Sequence, residues 1–470
     1  MATQEADAGG SSAGGGTRTY DIVVVGAGTA GCYAAATAAR EGLDVAIVER
    51  KSEQEAGHIA CGDALKGADN FPDSIPKSQI EPAFTNTAVD HGRFEIPSED
   101  TVLDIPVPGE LAVIDRWEYG RLLIEGAEKA GVEFHYDTVV KDVRQTEDGR
   151  VTGVDAVSRG DPITYEADVT VDAAGALSIL QDNADLSGAT FDTNVQYSQF
   201  SSGYREIVEV DEPVEWSDAL VFKPTKRASG YLWYFPRTET EINVGLGFQM
   251  SEEPMQLVAD LKEDIENRPE FSNARVTDKL GAALPTRRPY DSAVAPGFLA
   301  VGDAAGHVNP TTGGGIAGAA YAGHYAAQEA VAAISEGDRG EGALWDYNRR
   351  VMDHFGGRYA ALDVYNIFTT AYDLDDLMAL LAALPGEQLA EALYEGSTDI
   401  SLPLKVKTAI ETFGHWGTIY DLYRTKNLAD RLLGHYEDYP NSPDGFESWR
   451  ARRDDLMDEI YETTGAEPKY

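Results

Sequence analysis

Only two cysteines, Cys32 and Cys61, occur in 470 residues. That count rules out a disulfide scaffold and fits a reducing cytoplasm, and no metal cage is expected. Basic residues are scarce as well: 38 Lys and Arg stand against 80 Asp and Glu, a formal net charge of -42. Such a chain repels a polyanion, so nucleic acid is not expected as a partner. The acidic residues are scattered and form no tail, and the cations are 25 Arg and 13 Lys. Scattered acidity is a surface property, usual in proteins from salt-loving organisms, where molar salt screens the self-repulsion. A halophile source is the expectation, in preference to an ordinary acidic cytosolic enzyme. Long apolar runs are also missing. Leu377 to Leu384 is stopped by Pro385, short of the roughly 20 residues a spanning helix needs. The expected location is therefore the cytoplasm, with any membrane contact peripheral at the inner face. Residues 1–19 are rich in Gly, Ser, Ala and Thr without an apolar core; they read as a disordered tail and not as a signal peptide.

What is present points to an α/β fold. The length suggests two or three domains and leaves volume for a buried cofactor. From Tyr20, YDIVVVGAGTAGCYAAATAAREGLDVAIVER gives apolar strand, glycine turn, Ala-rich helix and second strand, one βαβ unit. A loop-rich stretch follows through Pro72, Pro76, Pro106 and Pro108, then an amphipathic helix from about Trp117 to Ala130 and a strand. Val151 to Val157 and Ile163 to Val171 read as paired strands. Between about Val195 and Met250, alternating apolar and polar residues with many aromatics predict an antiparallel sheet. Helical periodicity returns near Pro254, and the strand FLAVGD precedes a second glycine-rich turn and helix. The expected domains are a discontinuous Rossmann-type dinucleotide-binding unit (20–190 and 276–340), an antiparallel β substrate domain (191–275) and an acidic helical region (341–470). No internal repeat is visible.

Gly26, Gly28 and Gly31 spell G-x-G-x-x-G between a strand and a helix. The first allows the tight turn, the second lets backbone approach a pyrophosphate, and the third permits close helix packing. Pyrophosphate charge then sits at the helix N-terminus. Glu49 ends the second strand, where a carboxylate accepts hydrogen bonds from ribose hydroxyls. A purely structural glycine turn is the competing reading, and the strand, helix and acid together weigh against it. Gly313, Gly315 and Gly318 repeat the pattern, but no acid closes a second βαβ unit, so a separate NAD(P) domain is not expected.

The segments VTVDAAGALS, with Asp172, Gly175 and Ser178, and FLAVGDAAGHVNPTTGGGIAGAA, with Gly302 and Asp303, resemble the later motifs of the flavoprotein hydroxylase and reductase superfamily. That resemblance implies FAD, with the Asp of the GD pair on its ribitol or ribose. Within the superfamily, HIACGDALKG and GYLWYFPR, with the continuation through Pro310 to TTGGGI, are similar to the geranylgeranyl reductases, in particular the archaeal digeranylgeranylglycerophospholipid reductases. The likeness covers roughly residues 20 to 330. It places cofactor contacts at Gly26, Gly28, Ala30, Gly31, Glu49, Arg50, Cys61, Gly62, Arg116, Ala174, Gly175, Gly302, Asp303, Gly314, Gly315 and Ile316. Substrate contacts fall at Tyr231, Trp233, Phe235 and Pro310, and Cys61 is the candidate catalytic group.

Each of these residues has a plainer reading. A free cysteine is most often a small buried hydrophobe. Tyr231, Trp233 and Phe235 alternate along a strand and share one face, which serves a core as well as a tunnel wall. His307, beside the GD pair, and His58, before Cys61, read as hydrogen-bonded structural histidines. The aromatics from Tyr359 to Phe368 have helical spacing, which suits a core.

The resemblance implies reduction of isolated C=C bonds in geranylgeranyl chains of a membrane-lipid precursor by reduced FAD. An unconjugated alkene has no carbonyl to polarise it, so positioning over the flavin and a nearby proton source must do the work. The partners would be an isoprenoid lipid and a transiently docked reductant such as ferredoxin or NAD(P)H. Three other classes compete, the last of them a non-enzymatic dinucleotide sensor, whose flavin would resist photochemical and chemical reduction. A monooxygenase or halogenase would show substrate-stimulated oxygen uptake. An electron-transfer flavoprotein–quinone oxidoreductase would need an iron–sulfur cluster, normally held by four thiolates.

Overall fold

A computed structural model describes residues 16–67, 71–97, 101–107, 109–193, 195–225, 230–250, 254–372, 376–377 and 416–470. Its first strand, β1 (Gly16–Val25), leads through the glycine turn into α1 (Thr29–Arg40) and β2 (Val45–Val48). β1 and β2 pair in parallel from Ile22↔Val45 to Val25↔Val48. On its other side β1 pairs in parallel with strand Asp161–Asp172. Strands buried on both faces read as continuous apolar runs, as DIVVV and VAIV do. Phe298–Ala300 lies beyond Asp161–Asp172, and Glu133–His135 closes the other edge beside β2, in a sheet of eight described strands.

The tail reading ends earlier than Tyr20. Gly16 to Thr19 already pair with Ile163 to Glu166, because the long hairpin strand offers backbone partners that polar side chains do not disturb. Residues 1–15 lie outside the described residues. Above the sheet, α1 crosses helix Ile316–Glu336 so closely that a Cβ at Gly323 would meet the Ala30 oxygen at 2.2 Å.

A second sheet of seven described strands runs in the order Arg275–Pro285, Phe200–Glu209, Glu241–Gln249, Gly230–Pro236, Ala219–Pro224, His91–Ile96, Thr101–Pro106. Three findings depart from the expected antiparallel unit, the first being that Arg275–Pro285 pairs with Phe200–Glu209 and so carries the sheet past residue 275 into the segment expected in the dinucleotide unit. His91–Ile96 and Thr101–Pro106 come from the stretch read as loop-rich, and Ala219–Pro224 pairs with His91–Ile96 in parallel, which makes the sheet mixed. Pro106 ends its strand, a place where a missing N–H costs no central ladder bond. One face of this sheet packs Val208, Val221, Leu232, Tyr234, Val244 and Leu246 against Leu257 and Leu261 of helix Pro254–Glu266. The opposite face carries Tyr231, Trp233 and Phe235 and looks back toward the first sheet.

Beyond Leu344 the described residues are helical, as expected, in Gly357–Thr370, Trp416–Glu437 and Phe446–Thr464. Asp291, next to the first sheet, accepts from Arg453 and the Tyr436 hydroxyl and so ties these helices to the dinucleotide unit. Of the run Leu377 to Leu384, all but Leu377 lies outside the described residues. No described helix is long and apolar enough to cross a membrane.

Candidate active site

The glycine turn is shaped by contacts that exclude side chains. Gly26 has a φ of +106°, and a Cβ there would lie 2.4 Å from the Ala173 oxygen. A Cβ at Gly31 would lie 2.0 Å from the Gly26 oxygen, so the helix starts directly on the turn. Gly28 differs: its nearest neighbour would be Ile59 Cδ1 at 3.9 Å, and the space before it is open. Glu49 is buried at the end of β2, where its carboxylate accepts from Ala27 N and Lys51 N, each at 2.8 Å.

Arg116 opens helix Arg116–Ala130 and reaches the start of α1, with Nη2 donating to Thr29 Oγ1 at 3.3 Å. It is 4% exposed, and its Nη1 has no acceptor. The first turn of α1 contains no acid and no side-chain cap. A cation and a helix N-terminus therefore converge at the start of α1.

Asp303 follows strand Phe298–Ala300 in a short turn whose Gly302 has φ +64° and abuts Ala30. Burial pushes its carboxyl up to about 6, against the opposing field of Arg116. His307 is fully buried, accepts from Gly302 N through Nδ1 at 3.1 Å, and is held neutral by burial, its pKa lowered to about 3. It braces the turn, as a structural histidine does.

The cysteine loop is fastened to the aromatic strand. Asn243 Nδ2 donates to the Cys61 carbonyl at 2.8 Å, and Asn243 Oδ1 accepts from Trp233 Nε1 at 2.9 Å. Asp63, fully buried at a φ of 69°, pairs with Arg237 at 2.8 Å. A Cβ at Gly62 would meet the Phe235 ring at 3.1 Å. Burial pushes the Cys61 thiol up, with Asp63 adding to the shift and Arg116 and Arg205 opposing it; Sγ accepts from Asp63 N at 3.3 Å. His58 pairs with Asp278 at 2.7 Å and stacks on Trp117. Tyr231 donates its hydroxyl to the Thr312 carbonyl at 2.8 Å, joining the sheet to the loop after Pro310.

Every candidate except Gly31 lines one cavity of about 1630 Å³. Gly31 stands behind the turn, consistent with a packing role. The cavity runs from the glycine turn and the two glycine loops to the aromatic face of the second sheet. Phe368, expected as core, is buried and also lines it.

The family described as FAD binding domain matches residues 19–355. A digeranylgeranylglycerophospholipid reductase of Methanothrix thermoacetophila is 31% identical over 394 residues, spanning 82% of this chain and 97% of that protein. The chain belongs to the digeranylgeranylglycerophospholipid reductase family. A reductase of the same name from Sulfolobus acidocaldarius is 27% identical over 451 residues, or 94% of this chain and 98% of that protein. In fold, the chain resembles a geranylgeranyl bacteriochlorophyll reductase-like protein from Thermoplasma acidophilum (TM-score 0.69, 24% identity, 87% of this chain and 100% of the other). A flavin-dependent brominase shares the fold at a TM-score of 0.60 and 17% identity, over 84% of this chain and 99% of the other.

The residues of this family member fit FAD. The free Arg116 Nη1, the uncapped α1 N-terminus and the open space at Gly28 suit a pyrophosphate. Several residues of the site had no signal in the sequence. Arg205 lines the cavity and Asn243 holds the cysteine loop, each from mid-strand, and Lys469 reaches the cavity from the far end of the chain, where it pairs with Asp363 at 2.6 Å. Phe94 and Phe222 stack at 4.8 Å on strands of which one was read as loop.

Proposed function

We infer that this chain is an FAD-dependent reductase that saturates C=C bonds in the geranylgeranyl chains of a membrane-lipid precursor. The observation that carries this reading is the single cavity, in which a dinucleotide cradle opens onto an aromatic, largely apolar face without an intervening wall. Its relatives bear the name of that activity. When bound, reduced FAD supplies the hydride.

The chain's own residues bind and orient. The α1 N-terminus with Arg116 holds the pyrophosphate, Glu49 the ribose, and Asp303 a hydroxyl of the sugar or sugar-alcohol chain. Gly315 presents backbone beside Asp303, and Gly314 precedes it in the same loop. Tyr231, Trp233, Phe235 and Phe222 exclude water and grip an isoprenoid chain over a surface that makes few directional demands. Cys61 keeps its proton because burial raises its pKa, and it holds that proton at Sγ beside this face. Tyr420 and Tyr423, 62% and 51% exposed, stand on helix Trp416–Glu437 at the cavity rim. Peripheral contact with a membrane through that rim would deliver the lipid, and a separate donor would supply electrons.

The test is to incubate protein loaded with FAD and reduced by dithionite with a digeranylgeranylglycerophospholipid, and to follow lipid mass. Stepwise gain of two hydrogens per bond is expected; an unchanged lipid beside a fully reduced cofactor overturns the reading. Rapid lipid-stimulated oxygen uptake with NADPH would replace it with monooxygenase chemistry.

Asp303 gives this reading a pH signature. With a folded pKa near 6, it changes from acid to carboxylate across that pH, and the carboxylate is the better acceptor for a hydroxyl. FAD affinity is expected to rise about tenfold between roughly pH 5 and pH 7, measured by fluorescence titration of apoprotein. Asp303→Asn should flatten the profile. The sign is opposite for the empty fold: a raised carboxyl pKa contributes stability below 3.8 that is lost as pH rises to about 6.

A further inference from the structure

The glycines on the cavity-facing side of the second sheet are not alike. A Cβ at Gly245 would strike the Trp233 ring at 2.2 Å. The protein's own packing explains that one. Gly203 and Gly247 have no such reason. Neither has a positive φ. A Cβ at Gly203 would find nothing nearer than Leu284 Cδ2 at 3.7 Å, and one at Gly247 nothing nearer than Trp233 Cζ3 at 3.7 Å, both ordinary contacts.

Glycine inside a strand weakens it, because it contributes no packing and loses more backbone freedom than other residues. Two such residues sit side by side here. Register runs Tyr231↔Gly247, Gly247↔Gly203 and Gly203↔Ala282, so one row across four strands reads aromatic, glycine, glycine, alanine. The Tyr231 hydroxyl binds the Thr312 carbonyl, which brings the loop after Pro310 over one end of that row. The strip is also open on one side: Tyr231, Gly247, Gly203 and Ala282 all line the cavity of about 1630 Å³. Arg205, two residues along from Gly203 and lining the same cavity, is 2% exposed and pairs with Asp278 at 2.6 Å.

We propose that Gly203 and Gly247 are specificity-determining residues: their missing side chains keep open the strip of sheet over which a methyl-branched isoprenoid chain advances from one double bond to the next. This rests on the reductase reading above. A rigid aromatic wall grips the chain from one side, and the bare strip leaves the methyl branches room to pass on the other. Fill the strip, and the chain enters part-way and stops.

The test compares wild type, Gly203→Val, Gly247→Val and the milder Gly203→Ala, each loaded with FAD. Valine suits a strand, so FAD content and melting temperature should match wild type. Two readouts follow: binding of a digeranylgeranylglycerophospholipid by tryptophan fluorescence, and the spread of products by mass spectrometry after dithionite reduction. The valine variants should bind the lipid at least about tenfold more weakly and accumulate partly saturated products, with Gly203→Ala between them and wild type. Unchanged binding and a wild-type product spread in the valine variants overturn the proposal. Should a valine variant lose FAD or fold, Gly203→Ala decides: a wild-type product spread there overturns it as well. Wild type that binds the lipid but leaves it unreduced overturns the reductase reading instead, while the binding comparison still reports on the strip.

Discussion

Gly31→Ala protein is expected to emerge from purification colourless and with a lowered melting temperature. The new Cβ would lie 2.0 Å from the Gly26 oxygen and 3.2 Å from Ala173 Cβ, so either the helix or the turn must move. Overpacking of this kind costs about 3 kcal/mol, and the displaced α1 N-terminus no longer meets the space beside Arg116. Gly28→Ala separates the two effects. Its methyl would meet only Ile59 Cδ1 at 3.9 Å, and alanine in place of a glycine N-cap costs a few tenths of a kcal/mol. That variant should melt like wild type yet bind FAD on the order of a hundredfold more weakly, about 2.7 kcal/mol, because the methyl takes the space left for the pyrophosphate. Flavin absorbance of the purified proteins and titration of the apoproteins distinguish the cases. A Gly28→Ala protein with wild-type FAD affinity would remove the pyrophosphate from this turn.

The parts of the site legible in the sequence are those in which neighbours along the chain are also neighbours in space. The turn from Val25 to Gly31 is one such part, and the alternation of Tyr231, Trp233 and Phe235 is another, since period two puts all three on one face whatever the strand pairs with. The strands His91–Ile96 and Thr101–Pro106 were hidden because proline and polar residues mark their ends and they gain stability only at the edge of a sheet built from distant segments. Arg205 and Asn243 are polar positions in a stretch where apolar and polar residues alternate, so nothing along the chain sets them apart. Their reasons, Asp278 for one and the Cys61 carbonyl for the other, lie far off in sequence. Gly203 and Gly247 were silent for a different reason: what they make room for is not part of the chain.

Arg237 shows the same limit with the larger energetic consequence. It closes the segment GYLWYFPR, while its partner Asp63 stands 174 residues earlier. Arg237 donates Nε and Nη2 to Asp63 Oδ2, each at 2.8 Å, and also approaches Asp115 and Glu241 at 3.4 Å. Asp63 is fully buried, so Arg237→Met strands its carboxylate without its ion-pair partner. Breaking a buried pair from one side costs about 3 to 5 kcal/mol. Because Asp63 follows Cys61 by two residues and its carbonyl accepts from Ile114 N, the loss should also loosen the loop that Asn243 fastens to the aromatic strand through the Cys61 carbonyl. The expected result is a large drop in the urea midpoint together with faster modification of Cys61 by a thiol reagent. Asp63→Asn in the Arg237→Met background should recover much of the stability, since asparagine tolerates the left-handed φ of 69° and carries no charge. If the single variant melts like wild type, the pair contributes nothing net. If the double variant is no better than the single, the cost lies in lost packing of the arginine stem and not in the stranded charge.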